Sequence, residues 1–322
     1  MAPLALASIP CAVLPILGFL WLIWWLDRYD REPVGLFLLV FAWGAVGAVG
    51  LAMLGSALFA LPIGALADPD VAASIALTFL APAVEEPSKA AILFLVARSK
   101  HFDNVTDGFV YGAAAGLGFG MTENLMYFLH AAADGDALAW VATVAVRTLY
   151  SALMHAGATS LIGAAIGLAR NRRGWSRPLL LALGFAAACG MHALWNGLLA
   201  LAEAGQPLLG LVDLLIFPLE FLVLLGLFQL CLVAEHGVLR RELTEEADLG
   251  TLPLAHVPLL SSYLRRARAG WLPHHVDHHA YVRLATTLAL RRAHHKQRGV
   301  LRVGDRELEA LREGISALLS TR

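Results

Sequence analysis

Long apolar runs fill most of the first 235 residues of the chain, and they restrict its fold more than any other feature. An apolar run of about 20 residues is long enough to cross the hydrocarbon core of a bilayer as a helix. Seven such runs are present, at residues 8–26, 34–65, 71–97, 107–130, 137–169, 178–203 and 208–235. The sequence therefore predicts an all-α membrane helix bundle with about seven transmembrane helices.

The fifth run is longer than one straight span requires. As a continuous helix, residues 137–169 would extend roughly 50 Å, which exceeds the hydrocarbon thickness of a typical bilayer. We expect this helix to be tilted, or to be broken near Arg147–Tyr150, which would give eight helices instead of seven. We also expect Arg147 to extend to the outer interface, or else to pair with Asp213.

The charge content agrees with a membrane protein and divides the chain into two parts. Only 15% of the residues are charged, whereas roughly a quarter are charged in soluble domains, so an ordinary cytosolic enzyme is excluded. Of the 24 Lys and Arg residues, 14 follow residue 236. We predict a transmembrane domain over residues 1–236 and a small helical tail at the cytosolic membrane surface over residues 237–322. The net charge of −1 hides this division, and we expect the lipid bilayer, and no nucleic acid, as a partner.

Basic residues also predict the orientation of the chain, because cytoplasmic loops retain Lys and Arg. Every second predicted loop is basic, and the loops between them contain neither Lys nor Arg. The basic loops contain Arg28, Arg31, Arg98, Lys100, Arg170, Arg172, Arg173 and Arg177. We therefore predict an outer N-terminus and a cytoplasmic C-terminus.

Several ionisable side chains lie inside the predicted spans, where a charge costs several kcal/mol and usually marks a functional site. They are Glu85, Glu86, Lys89, Glu123, Arg147, His155, His192, Asp213 and Glu220. Counted from the cytoplasmic ends of their helices at about 1.5 Å per residue, four of them fall at one depth, roughly 20–24 Å from the inner surface. These four are Glu85, Glu123, His155 and His192. The sequence therefore predicts one polar layer that is built from four helices.

Two spacings within single helices indicate how these groups cooperate. Glu85 and Glu86 precede Lys89 by four and three residues, so one glutamate can pair with the lysine while the other stays available as a base. His192 and Asn196 are four residues apart and share a helix face. The amide of Asn196 can therefore orient a substrate or a water molecule beside the imidazole.

A stripe of glycines precedes the second carboxylate motif. Gly108, Gly112, Gly116 and Gly120 recur at every fourth position. Such a stripe leaves one face of a helix bare, so that a neighbouring helix can pack against its backbone. The stripe leads directly to Glu123, and we expect it to bring this helix against the site.

Three motifs occur in order along the predicted spans: a Glu-Glu pair with a basic residue shortly after it, a Phe-x-x-x-Glu and a His-x-x-x-Asn. They read E-E-P-S-K at Glu85–Lys89, F-G-M-T-E-N at Phe119–Asn124 and H-A-L-W-N at His192–Asn196. With them, the chain resembles the PrsW family of bacterial intramembrane proteases, which is similar to the CAAX-processing and bacteriocin-processing membrane endopeptidases. Two further features resemble the PrsW branch. They are the run D-R-Y-D-R-E-P at Asp27–Pro33 and His155 with a glycine, Gly157, following it.

The resemblance implies an intramembrane endopeptidase of the bacterial inner membrane, which hydrolyses a peptide bond within or next to the transmembrane segment of a membrane-anchored protein substrate. Relatives of PrsW are associated with the cleavage of membrane-anchored anti-sigma factors. An anti-sigma factor is therefore a partner by resemblance only, because nothing in this sequence identifies a substrate.

Two mechanisms are open for such an enzyme. In the first, Glu123, His155 and His192 hold Zn²⁺, Glu85 or Glu86 takes a proton from the bound water, and Asn196 stabilises the oxyanion. In the second, a glutamate and a histidine activate water without metal, while Asn196 and a second histidine stabilise the tetrahedral intermediate. Both mechanisms use the same residues, so the spacing of these residues in the sequence does not distinguish the two mechanisms.

A proton-coupled membrane transporter is the alternative from another functional class, because buried Glu and His side chains also carry protons. The two halves of the predicted membrane domain show no internal repeat, which speaks against a transporter. In the tail, P-H-H-V-D-H-H places His274 four residues before His278 and His275 four before His279. Such pairs can bind metal, although exposed histidines more often form a solvated face.

Overall fold

The computed structural model describes residues 2–27, 29–66, 68–99, 101–170, 172–268, 270–302 and 304–320. Two of the basic loop residues that predict the orientation, Arg28 and Lys100, lie outside the described residues. The described residues form helices, turns and loops and no strand, which confirms the all-α fold. The chain divides into two compact units, Met1–Leu26 with Glu32–Gly226 and Asp27–Arg31 with Leu227–Arg322.

The first unit is built from long apolar helices. They are α1 (Ala2–Leu26), α2 (Val34–Ala42), α3 (Val49–Leu66), α4 (Pro69–Ile75), α5 (Ala81–Val96), α6 (Val105–Asp134), α7 (Ala137–Val146), α8 (Ala152–Arg170), α9 (Ser176–Glu203) and α10 (Pro207–Asp248). Helix α10 has 42 residues and continues into the second unit, past residue 235 where the last predicted span ends. The predicted domain boundary at residue 236 falls within this helix and stays a prediction.

In the described part of the chain, three π-helical segments link consecutive helices of the first unit. Trp43–Ala48 joins α2 to α3, Ala76–Leu80 joins α4 to α5, and Arg147–Ser151 joins α7 to α8. The third segment lies where a break was expected, near Arg147–Tyr150, but the helical stretch Ala137–Arg170 is continuous through it. A π-helical turn contains one residue more than an α-helical turn, and such turns often lie at functional sites.

Among the described residues, five helical stretches are long and apolar enough to cross a membrane. They are Ala2–Leu26, Val34–Ala65, Ala137–Arg170, Ser176–Ala202 and Leu208–Asp248. The other two predicted spans, residues 71–97 and 107–130, correspond to α4 with α5 and to α6, which contain the glutamates of the site. The membrane helix bundle is therefore confirmed, whereas the number of seven crossings stays a prediction.

The glycine stripe of α6 packs against α8, and this is the most extensive helix pair of the unit. A Cβ atom at Gly116 would lie 2.2 Å from the carbonyl oxygen of His155, and one at Gly108 would lie 2.1 Å from that of Gly163. All four glycines of the stripe face the same helix: Gly108, Gly112, Gly116 and Gly120. The predicted close approach is confirmed, and it brings the backbone of His155 against α6.

The second unit contains the end of α10 and three further helices, α11 (Val257–Leu260), α12 (His278–Arg298) and α13 (Arg306–Ser320). The segment Asp27–Arg31 belongs to it as well. The Tyr29 hydroxyl donates to the Ser261 carbonyl over 3.2 Å, and Arg266 Nη2 donates to the Tyr29 carbonyl over 3.2 Å. Residues from opposite ends of the sequence therefore form one packed unit.

Candidate active site

Glu86 is the most completely bonded side chain of the site. Its Oε1 lies 2.8 Å from Lys89 Nζ and 2.9 Å from His192 Nδ1, and its Oε2 accepts a hydrogen bond from Thr159 Oγ1 over 3.0 Å. The side chain is 0% exposed. Because α5, α8 and α9 each contribute a partner, Glu86 links three helices.

Lys89 is also fully buried, with a side-chain exposure of 0%. Its Nζ lies 2.8 Å from Glu86 Oε1, 2.8 Å from His155 Nδ1 and 3.3 Å from Glu85 Oε2. The ammonium also lies 4.1 Å from the centre of the Phe119 ring, where a cation–π contact forms. An ammonium group has three protons and no lone pair, so His155 Nδ1 must be an acceptor.

His155 connects α5 with α6 through its two ring nitrogens. With Nδ1 accepting from Lys89, the ring proton is on Nε2, which lies 2.7 Å from Glu123 Oε2. Phe119 packs against the imidazole with 5.3 Å between ring centres. Both residues of the Phe-x-x-x-Glu motif therefore fix His155, which explains why they lie one helical turn apart.

Arg147 belongs to the site, where the sequence did not place it. It does not pair with Asp213, because its Nη2 pairs with Glu123 Oε2 and its Nε donates to Asn124 Oδ1 over 3.1 Å; its expected extension to the outer interface stays a prediction. The guanidinium also stacks on the Tyr127 ring, 3.6 Å from the ring centre. The expected break near Arg147 could have indicated this position, because a π-helical or broken turn changes the helix face on which the side chain lies.

Glu85 and His192 face each other through one acceptor atom each. His192 Nδ1 is directed to Glu86, so its Nε2 carries a lone pair, and this atom lies 3.8 Å from Glu85 Oε2. Glu85 Oε2 is buried and accepts no hydrogen bond from the described residues. Two facing acceptors are stabilised by a proton donor or a cation beside them, and the Lys89 ammonium, 3.3 Å from Glu85 Oε2, is one such cation.

In the described part of the chain, one group of potential ligand atoms is close enough together to hold a metal ion. It consists of Glu85, His155 and His192, whose ligand atoms lie within 4.8 Å of one another. Two imidazoles and one carboxylate match the donors of catalytic zinc centres. Glu85 Oε2 accepts no hydrogen bond from the described residues, although it lies 3.3 Å from Lys89 Nζ; this agrees with such a use, and the residues therefore fit zinc.

The ligand set that the sequence predicted differs from this group in one residue. It contains Glu123 with His155 and His192, whereas the structure brings Glu85 to the two histidines. Glu123 contacts His155 Nε2 and Arg147 instead. The convergence of the predicted glutamates and histidines is present in the structure, and the ligand role of Glu123 stays a prediction.

The remaining predicted residues lie at the edge of the site or away from it. Asn196 Nδ2 donates to the carbonyl oxygen of Leu77 over 3.0 Å, within the π-helical segment Ala76–Leu80. Asp213 in α10 is buried and makes none of the contacts described above. In the described part of the tail, the histidines form no group of three metal ligands.

Two comparisons with known proteins give a match. Residues 32–227 match the PrsW family intramembrane metalloproteases. Protease PrsW of Bacillus subtilis (strain 168) is 32% identical over 125 residues, which are 38% of this chain and 54% of that relative. The chain thus matches about half the length of this curated relative. No solved structure matches the chain.

Proposed function

Because the chain belongs to the PrsW family of intramembrane metalloproteases, we propose that it hydrolyses a peptide bond within or next to the transmembrane segment of a membrane protein. The observation that carries the proposal is the gap between Glu85 Oε2 and His192 Nε2, 3.8 Å wide and bounded by two acceptors. A water molecule can donate one hydrogen to each acceptor. Its oxygen lone pairs then face away from both and towards a substrate carbonyl.

In the metal-free version of this proposal Glu85 is the general base. As the water oxygen attacks the carbonyl carbon, one water proton passes to Glu85 Oε2 and later to the nitrogen of the leaving amine. His192 Nε2 accepts the hydrogen bond that holds the water, and Glu86 fixes the imidazole through Nδ1. General base catalysis by a positioned carboxylate typically contributes about 10²–10⁴-fold to the rate.

Asn196 is proposed to donate to the oxyanion. Its Nδ2 is bonded to the carbonyl oxygen of Leu77, so a backbone carbonyl is already the partner that this amide binds. A substrate carbonyl would replace that of Leu77 at the same nitrogen. One preorganised donor of this kind is typically worth about 10²–10³ in kcat.

Zinc is the proposed cofactor, held by Glu85, His155 and His192, whose ligand atoms lie within 4.8 Å of one another. A zinc ion there supplies Lewis-acid polarisation of the scissile carbonyl and acidifies bound water. Glu85 would then be a ligand and not the base. The predicted ligand set with Glu123 in place of Glu85 requires Glu123 to leave Arg147.

Cleavage of a single-span test protein in proteoliposomes tests the proposal. We expect the wild type to cut it, and Glu85→Gln and His192→Ala to lose cleavage while they still insert and fold. Ser176→Ala, at the start of α9, is the matched control and should cut normally. Cleavage that persists in both site variants would contradict the proposal.

Metal analysis separates the two versions of the mechanism. Zinc in the purified protein, loss of cleavage with a chelator and recovery with zinc alone would support the metallo-enzyme. Full cleavage by a demonstrably metal-free sample would leave the glutamate version, in which Glu85 and His192 act without metal.

The proposed substrate is a membrane-anchored protein, and its identity is open. The proposed location is the bacterial inner membrane, with an outer N-terminus and a cytoplasmic C-terminus. The test uses a reporter enzyme that is active only outside the cytoplasm, fused after Gly205, between α9 and α10. We expect this fusion to be active. A cytoplasmic signal from this fusion would overturn the orientation.

A further inference from the structure

The site already contains almost as much positive charge as negative charge. The carboxylates of Glu85, Glu86 and Glu123 are in contact with the cations Lys89 and Arg147. With neutral imidazoles, these five side chains leave one net negative charge. A divalent ion added to them would leave a net positive charge in a buried site, where uncompensated charge is costly.

Lys89 occupies the donors that a metal ion would use. Its Nζ lies 3.3 Å from Glu85 Oε2 and 2.8 Å from His155 Nδ1, and both residues belong to the ligand group with His192. Since the second nitrogen of His155 contacts Glu123, neither ring nitrogen is free. Metal binding through Nδ1 must therefore break the contact with the ammonium.

We propose that the ammonium group of Lys89 is an internal cation that competes with zinc for Glu85 and His155, and that it withdraws when the metal binds. The proposal rests on the proposed function only in taking zinc as the metal. The metal-free arrangement is then a closed state of the site, in which Lys89 and Arg147 compensate two of the three carboxylate charges. An approaching zinc ion must replace one cation by another before the three ligands can converge on it.

The lysine has a place to withdraw to. Glu86 Oε1 and the face of the Phe119 ring both contact Nζ, at 2.8 Å and at 4.1 Å from the ring centre. Neither group belongs to the ligand group. The ammonium can therefore keep a carboxylate and an aromatic face while it leaves His155 and Glu85.

Arg147 does not compete in the same way. It pairs with Glu123 and with Asn124 and Ser151, none of which belongs to the ligand group. The guanidinium is therefore expected to stay in place when the metal binds. Of these two cations, Lys89 is therefore the one that contacts the ligand group.

Zinc affinity of the full-length protein tests the proposal. Metal-stripped wild type, Lys89→Met and Lys89→Arg are compared in nanodiscs by competition with a fluorescent zinc chelator. We expect Lys89→Met to bind zinc at least about tenfold more tightly than the wild type, a difference of ~1.4 kcal/mol. Lys89→Arg retains the charge and should gain much less. Equal or weaker zinc binding by Lys89→Met would overturn the proposal.

One alternative variant and one further measurement complete the test. Lys89→Gln retains a hydrogen-bonding side chain without the charge, and it replaces Lys89→Met if the latter does not fold. In a zinc-loaded structure of the wild type, Lys89 Nζ must have left His155 Nδ1, and an unchanged contact would refute the competition.

Zinc affinity and cleavage are separate readouts. Tighter zinc binding by Lys89→Met together with no cleavage by the wild type would overturn the proposed function and support the competition. Cleavage by a zinc-containing wild type together with unchanged zinc affinity in Lys89→Met would support the proposed function and overturn the competition.

Discussion

Nδ1 of His192 lies 2.9 Å from Oε1 of Glu86, although the two residues are 106 positions apart in the sequence. This contact turns Nε2 of the imidazole towards Glu85. Thr159 and Lys89 also donate to Glu86. The adjacent glutamates therefore have different environments: Glu86 accepts from three donors, whereas Glu85 Oε2 accepts no hydrogen bond from the described residues and has the Lys89 ammonium 3.3 Å away.

We expect the two glutamates to respond differently to the same substitution. Glu86→Gln weakens a buried ion pair with Lys89, and breaking such a pair typically costs about 3–5 kcal/mol, so both thermal stability and cleavage should fall. Glu85→Gln should lower cleavage by at least about 10²-fold with little loss of stability. Thermal unfolding in detergent and cleavage of a reconstituted substrate measure the two effects. Equal destabilisation by both variants would contradict this division of roles.

Arg147 should act as a positioning residue through Glu123. We expect Arg147→Met to lower kcat about tenfold or more with a small change in KM, because Glu123 loses the cation that holds it beside His155. Arg147→Lys should recover only part of the rate, since an ammonium cannot reproduce the planar fork of donors.

Arg177→Met is the control for this prediction, because Arg177 is exposed near the start of α9. A double-mutant cycle with Glu123→Gln should show coupling of about 0.5–3 kcal/mol in the activation free energy. Strict additivity would mean that Arg147 does not act through Glu123.

The contact between α6 and α8 should tolerate no added side chain at Gly116. The Cβ atom of alanine would lie 2.2 Å from the carbonyl oxygen of His155, so the helices must separate and move the imidazole. We expect Gly116→Ala to lower both the unfolding temperature and kcat. Gly18→Ala in α1, where nothing lies within 4 Å, should be neutral or stabilising by up to about 1 kcal/mol.

The second unit should become less stable as the pH falls. Burial holds the pKa of His256 below its ordinary value of 6.5, and its Nδ1 contacts the Tyr281 hydroxyl over 2.8 Å. The unfolded chain therefore binds a proton that the folded unit resists. This contribution is complete above about pH 6.5 and declines as the pH falls towards the lower pKa of the folded state.

The pH prediction can be checked by unfolding the full-length protein between pH 7 and pH 5. A variant that retains Trp271 as its single tryptophan out of the eight of the chain can follow this unit by fluorescence, because Trp271 packs edge-on against His256. His256→Phe removes the titrating group and should flatten the profile. His278, also with a lowered pKa through burial, keeps part of the slope, and an unchanged slope in His256→Phe would refute the assignment.

Depth along a helix was the most informative property of the sequence. A constant rise per residue predicts one layer for Glu85, Glu123, His155 and His192 without any knowledge of their neighbours. The structure connects all four through Lys89, Glu86 and direct contacts. The glycine stripe likewise predicts which face of α6 meets another helix, because a missing side chain has the same effect in any fold.

Rotation about a helix axis could not be predicted in the same way. Which atoms of Glu123 and Arg147 meet depends on how α6 and α7 turn towards each other, and the π-helical segment at Arg147 alters the local periodicity. The different environments of Glu85 and Glu86 depend on partners from α8 and α9. The length of α10 beyond residue 235 was also missed, because its last turns are polar and pair with α12 and α13.

The contact between Tyr29 and Ser261 has a consequence for the order in which the protein is made. The two residues are 232 positions apart, and the ribosome adds only about 5–20 residues per second. The segment Asp27–Arg31 therefore waits at least several seconds for its partners while the intervening helices are synthesised and inserted. The second unit can close only after the helices between these two segments have been synthesised.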